Sequence, residues 1–151
     1  MIYAGIGSRE TPAPILLEMG NIAMRLALAG HTLRSGAAIG ADKAFEDGCD
    51  MVKGSKVIRL ATLQPSAIAH ASRFHPKWSA CSETTQALHA RNSLVMLGDS
   101  FDSPVDFVVC WTEGGEIKGG TGQALRIAEF HSIPVFNLAL PGHADKLWEW
   151  L

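Results

Sequence analysis

Short apolar runs, each ending in a turn of small residues and followed by a helical period, recur along this chain, and no other feature limits its fold as strongly. Residues 2–6 are apolar and stop at Gly7-Ser8-Arg9-Glu10-Thr11-Pro12, a strand and a turn whose proline suits a helix start. Over residues 13–29, Ile15, Met19, Ile22 and Leu26 recur at i, i+4, i+7 and i+11, and Gly30 follows as a stop, which predicts an amphipathic helix. Residues 31–34 predict a second short strand. It leads through Ser35-Gly36-Ala37-Ala38-Ile39-Gly40-Ala41-Asp42 into a helix on which Ala41, Ala44, Phe45, Gly48 and Val52 take helical spacing. Strands are also predicted over 56–61, 106–111 and 133–138, helices over 83–97 and 121–131, a glycine-rich loop over 112–120 and a short closing helix over 142–151. Strands separated by helices pair in parallel through right-handed crossovers. The predicted architecture is therefore α/β: a Rossmann-like, doubly wound, mainly parallel sheet of about five or more strands with helices on both faces, in one domain over residues 1–151.

Two segments fit this pattern less well. Residues 62–82 carry no clear period and mix Pro65, Pro76 and Trp78, so they read as an irregular excursion holding one short helix at most. In the 83–97 helix, Leu88, Arg91 and Val95 fall at i, i+3 and i+7, which puts Arg91 on the apolar stripe, where it needs an anionic or carbonyl partner. In the closing helix, Leu147, Trp148 and Trp150 suit core packing or a subunit contact.

With 47% apolar residues the chain can bury a core without a disulfide or metal staple. Its 13 Lys plus Arg against 15 Asp plus Glu give a net charge of -2, which argues against the strongly basic face of a dedicated nucleic-acid binder and leaves room only for a local basic pocket. The 3 cysteines, Cys49, Cys81 and Cys110, are widely spaced and suit free thiols in a reducing compartment. The start has no basic leader region and no apolar run is long enough for a membrane span, so a cytoplasmic protein without membrane partners is expected.

In an open parallel sheet, ligands bind beyond the carboxyl ends of the strands, where strand order reverses. Gly5, Gly7, Ser8 and Arg9 combine close backbone approach, a hydroxyl and a guanidinium ahead of a helix N-terminus, a combination suited to phosphate. Ser35, Gly36 and Gly40 form a second small-residue turn, in which Asp42 is placed either to accept from a ribose hydroxyl or to cap the helix. Gly119-Gly120-Thr121-Gly122 opens a third helix where free amides and the Thr121 hydroxyl can hold phosphate oxygens. Each loop alone is as well explained by tight packing; together with Arg91 they converge on one crevice. Glu113 and Glu116 lie in the facing loop, Glu113 as a general base or a sugar-hydroxyl acceptor and Glu116 as a solvated charge. Ser8 and Ser35 have no histidine nearby in sequence and no G-x-S-x-G elbow, which argues against nucleophilic hydrolysis. His70, His75 and Cys81 match no zinc-ligand spacing and are assigned surface or packing roles, so neither metal nor cofactor is expected.

Gly7-Ser8-Arg9 with Thr11, Ser35-Gly36-x-Ala38-x-Gly40-Ala41-Asp42-x-Ala44, Arg91-Asn92, and Gly119-Gly120-Thr121 with Ala124, Ala128 and Pro134-Val135 occur in the order in which similar blocks occur in the DprA/Smf family. The chain thus resembles the Rossmann-like SLOG superfamily, which unites DprA/Smf with the LOG phosphoribohydrolases and includes small stand-alone phage and bacterial proteins, some in antiviral signalling. The resemblance implies a binding site formed by Gly7, Ser8, Arg9, Thr11, Ser35, Gly36, Ala37, Gly40, Asp42, Arg91, Asn92, Thr112, Glu113, Gly119, Gly120 and Thr121. It also implies a homodimer or larger homo-oligomer. LOG enzymes carry a motif similar to Gly-Gly-x-Gly-Thr-x-x-Glu, and aligned on Gly120-Thr121 the glutamate position is Ala124, so an N-glycosidase would have to use Glu113 or Glu129 instead. The leading expectation is capture of a nucleotide or nucleotide-derived ligand without chemistry. Single-stranded DNA binding of the DprA type, with stacking on Trp78 or Trp111, is the second, and a LOG-like nucleoside monophosphate N-glycosidase the third.

Overall fold

The computed structural model describes residues 1–60 and 64–151. The elements run β1 (Ile2–Gly7), α1 (Ala13–Leu28), β2 (Thr32–Ser35), α2 (Ala41–Asp50), β3 (Lys56–Arg59), α3 (Pro65–Ser72), α4 (Glu83–Leu97), β4 (Phe107–Trp111), α5 (Gly119–Phe130), β5 (Val135–Asn137) and α6 (His143–Trp150). Single 3-10 turns lie at Trp78–Ala80 and Glu113–Gly115. The 5 strands form one sheet in the order β3-β2-β1-β4-β5, and every pairing is parallel. This is the doubly wound α/β arrangement that the alternation predicts, and the order reverses between β1 and β4.

The two central strands are buried on both faces, and their alternation divides the core. Tyr3, Phe107 and Val109 point to the face covered by α1 and α2, where they pack with Met19, Ile22, Leu26 and Phe45. Ala4, Ile6, Val108 and Cys110 point to the other face, against Val95 and Met96 of α4 and Ala124, Leu125 and Ile127 of α5. Tyr3 stacks on Phe107 with ring centroids 5.4 Å apart. Where α2 crosses β1 the backbones come so close that a Cβ on Gly5 would lie 2.4 Å from the Phe45 ring, and one on Gly7 2.6 Å from the Ala41 Cβ. Helix packing therefore requires the glycines of β1, and buried Gly5 lies under Phe45 and not at a ligand.

Several boundaries shift. The α5 helix starts at Gly119, so the predicted glycine loop supplies its first turn. The excursion holds α3 and a 3-10 turn, whose Ala67 and Ala71 pack with Leu60, Ala90 and Leu94 in a satellite core; the parts of the strand and excursion predictions at residues 61–63 lie outside the described residues. The stripe assigned to α4 is also corrected. Its buried residues are His89, Ala90, Ser93, Leu94, Val95, Met96 and Leu97, because the sheet covers one side and α3 another; Leu88 and Arg91 are half-buried. At the C-terminus Leu147 is buried, Trp148 is covered by the Arg25 guanidinium 3.6 Å above its ring, and Trp150 meets Phe107 edge-on at 5.3 Å. Leu147 and Trp148 thus turn toward the chain's own core, while Trp150 stays 45% exposed. Among the described residues no helix is long and apolar enough to cross a membrane.

Candidate functional site

A cleft of about 300 Å³ opens where strand order reverses, and among the described residues its walls come from two loops. Ser8 and Glu10 follow β1; Thr112, Glu113, Lys118 and Gly119 follow β4 and lead into α5. Parallel strands feeding helices from their carboxyl ends leave a gap at the switch point, because the crossovers on either side run away from each other.

On the β1 side, Ser8 N–H donates to the Trp111 carbonyl at 3.1 Å, tying the two loops together. The Thr11 hydroxyl donates to the Ser8 carbonyl at 2.6 Å, so Thr11 is a buried brace and not a ligand contact. The Ser8 hydroxyl accepts from Glu10 N–H at 3.2 Å and can still donate outward, and Arg9 is exposed. On the β4 side, Thr112 is buried and doubly paired with Asn137: its N–H donates to Oδ1 at 3.2 Å and its hydroxyl accepts from Nδ2 at 2.7 Å. The helix start is different. No side chain caps α5, whose N-cap is Lys118, and a Cβ built on Gly120 meets nothing within 4 Å. Gly119, the first residue of α5, lines the cleft, so the uncapped start of the helix and the positive end of its dipole lie at the cleft wall. Thr121 is buried in this first turn, and the Gly120 carbonyl is fixed by Asn92 Nδ2 at 2.8 Å, which gives Asn92 a positioning role. Lys118 bridges Glu113 at 2.8 Å and Glu116 at 3.4 Å. The hydrogen bond from Lys118 holds the exposed Glu113 carboxyl below its ordinary range, a poor setting for a general base.

The second predicted loop is filled from within. Asp42 is buried and its Oδ2 accepts from Gly36 N–H and Ala38 N–H, both at 3.2 Å, so it braces its own turn and does not cap its helix. Burial raises its pKa although both amides and the nearby Arg91 pull the other way. The Ser35 hydroxyl donates to Glu46 Oε1 at 2.6 Å and accepts from Ala37 N–H at 3.0 Å; Glu46 Oε2 in turn accepts from Arg59 at 2.8 Å. Ser35 is fully buried and belongs to this network, which corrects its assignment as a ligand contact. Gly36 lies under Arg91, since a Cβ there would be 2.8 Å from Arg91 Nε and 3.0 Å from Asp42 Oδ2. Arg91 Nε is buried without a hydrogen-bond partner, which leaves the remainder of the guanidinium as the polar end of a half-buried side chain. Ala37 at φ 55 and Gly40 at φ 95 shape the turn, and between them Ile39 is 97% exposed.

Some residues escaped the sequence. Arg34, buried on β2, donates to the Ser103 carbonyl at 2.8 Å and the Val95 carbonyl at 3.3 Å, closing the C-terminal end of α4. Ala124, at the position of the LOG glutamate, is buried in the apolar cluster under α5. Trp111 and Trp78 both pack on apolar clusters. A second cleft of about 340 Å³ between α5 and the segment after β5 has mainly apolar walls, including Ile117, Leu125, Ile133 and Val135. The histidine and cysteine grouping changes membership: His70 stacks on Phe101 at 4.6 Å, while His75 and Cys81 meet His89, which no spacing pattern had connected to them.

No protein-family model and no curated protein matches the sequence. Among solved structures, the fold is similar to DNA processing protein A from Helicobacter pylori, whose structure is described for its single-stranded DNA binding mode. The TM-score is 0.61 at 20% identity, over 99% of this chain and 72% of that one. The likeness establishes a shared DprA-like, Rossmann-like fold.

Proposed function

We propose that this chain binds single-stranded DNA, holding a backbone phosphate at the switch-point cleft between Ser8 and the amino terminus of α5. The observation that carries the reading is the uncapped start of α5, whose first residue, Gly119, lines the same cleft as Ser8. The likeness to a DNA-binding protein of the same fold supports a polymeric ligand over the free nucleotide that the sequence favoured. Arg9 supplies an exposed cation beside the cleft, and Ile39 offers an apolar surface for a base. A net charge of -2 limits the number of phosphates engaged to a local few.

The second reading is capture of a free nucleotide, including a signalling nucleotide, and the small cleft favours it: about 300 Å³ suits one phosphate and sugar better than a strand. Titrating labelled oligothymidines of increasing length and mononucleotides, each at two salt concentrations, separates the two. Affinity that rises with length and falls steeply with salt supports DNA binding, with a slope of roughly −0.7 per phosphate in log K against log salt. Equal affinity for a mononucleotide and an oligomer moves the function to nucleotide capture, and no binding of either removes the site.

A further inference from the structure

We propose that His75, Cys81 and His89 form a binding site for a borderline-soft divalent metal ion of the zinc class, holding the segment between α3 and α4 against α4. The ligand atoms of the three side chains lie within 4.8 Å of one another, and Cys81 Sγ is 3.7 Å from the His75 ring nitrogens. Zinc bonds of about 2.3 Å to sulfur and about 2.0 Å to nitrogen place tetrahedral ligand atoms roughly 3.5 Å apart, so the edges of the triangle, none longer than 4.8 Å, contract by about 1.3 Å at most.

Three independent features point at an ion and not only at packing. His89 is 3% exposed, and its Nδ1 is buried with no hydrogen-bond partner, an arrangement that costs stability unless something accepts that lone pair. The donor set is one sulfur and two imidazoles with no carboxylate, which selects zinc-class ions over magnesium or calcium. The triangle is also held in place before any ion arrives. Gln86 Nε2 donates to the Cys81 carbonyl at 3.2 Å and the Trp78 carbonyl at 3.4 Å, and Ser82 caps α4 directly after Cys81.

The Cys81 thiol now donates to the Lys77 carbonyl at 3.6 Å; on binding it loses its proton to solvent and the thiolate takes the metal. His75 Nδ1 accepts from Lys77 N–H at 3.1 Å, and this exposed bond opens if that nitrogen becomes the ligand. Three protein ligands leave a fourth position for water. His89 and Arg91 are two residues apart, about 200° around α4, so the metal site and the side chain that covers Gly36 lie on different faces of one helix.

Cobalt(II) titration of the reduced, chelator-stripped full chain tests the site. One equivalent should give a thiolate-to-cobalt charge-transfer band and intense tetrahedral d–d bands, and zinc should displace both. Cys81→Ser should abolish the charge-transfer band and weaken zinc binding on the order of 100-fold or more, while His131→Gln, at an exposed histidine outside the triangle, leaves both intact. Absence of the band in the wild-type chain at saturating cobalt overturns the proposal without recourse to any variant. A band that survives Cys81→Ser overturns it too, by assigning the thiolate to Cys49 or Cys110.

Discussion

The loops after β2 and β4 have nearly the same makeup, small residues with a hydroxyl and an acid before a helix, yet the structure uses them in opposite ways. After β2, Asp42 occupies the loop amides, Ser35 and Glu46 satisfy each other, and Arg91 covers Gly36. After β4, the helix start is uncapped and Gly120 faces open space. A polar loop that saturates its own donors is architecture. One that leaves amides at a helix start unpaired, in a cleft, is equipped to bind an anion.

The contrast breaks most visibly on the saturated side. Asp42→Ala strips the acceptor from the amides of buried Gly36 and half-buried Ala38 and should cost about 3 kcal/mol in urea unfolding, since each buried donor left unpaired costs about 1–3 kcal/mol. A loss below about 1 kcal/mol would mean that the turn does not depend on Asp42. Its titration gives a second check. Because burial raises the folded-state pKa of Asp42, the folded protein holds that proton more tightly than the unfolded chain. The group's contribution is fully present below its unfolded value of about 3.8 and is lost as pH rises through the raised folded pKa. Asp42→Asn removes this dependence, so its stability relative to wild type should improve as pH rises across that window; a constant difference would contradict the raised pKa. Ser35→Ala should cost about 2 kcal/mol by leaving Glu46 one buried partner short, with little direct effect on ligand affinity per folded molecule.

How much of this could be read from residues follows from where each bond goes. The sheet was legible because β1 and β4 are apolar on both faces and each is followed by small residues, signals that do not depend on distant contacts. The segment around α3 was not, because its buried residues are alanines whose burial is decided by α4 and not by any apolar period of their own. His89 was missed for a related reason: a helix enclosed on two sides has no single stripe, and reading one put Leu88 and Arg91 ahead of it. Composition located the three small-residue turns ahead of helices, but Asp42 looks the same whether it accepts from its own backbone or from a ribose, and only the folded turn shows its backbone bonds.

On the open side the expected loss is in binding and not in stability. Gly120→Glu adds a carboxylate where a Cβ meets nothing within 4 Å, so unfolding should shift by about 0.5 kcal/mol or less, in the stabilising direction expected of an acid at a helix start. The same charge stands where the phosphate would, and affinity for oligothymidine should fall more than about tenfold, roughly 1.4 kcal/mol. Unchanged affinity would move the ligand away from α5 and remove the contrast between the loops.

The smallest effect sharpens the comparison without breaking it. Arg9 is exposed on the β1 loop and makes no ion pair among the described residues, so Arg9→Ala should leave stability within about 0.5 kcal/mol. If its guanidinium meets one backbone phosphate, the salt dependence of oligothymidine binding should become shallower by about 0.7 in slope, with affinity falling similarly for every base sequence. Lys118 cannot contribute in the same way while Glu113 and Glu116 bridge it, so Lys118→Ala should change that slope less than Arg9→Ala does. If the order of the two variants is reversed, the ligand opens the Lys118 bridges on binding, and the β4 loop contributes a cation as well as its amides.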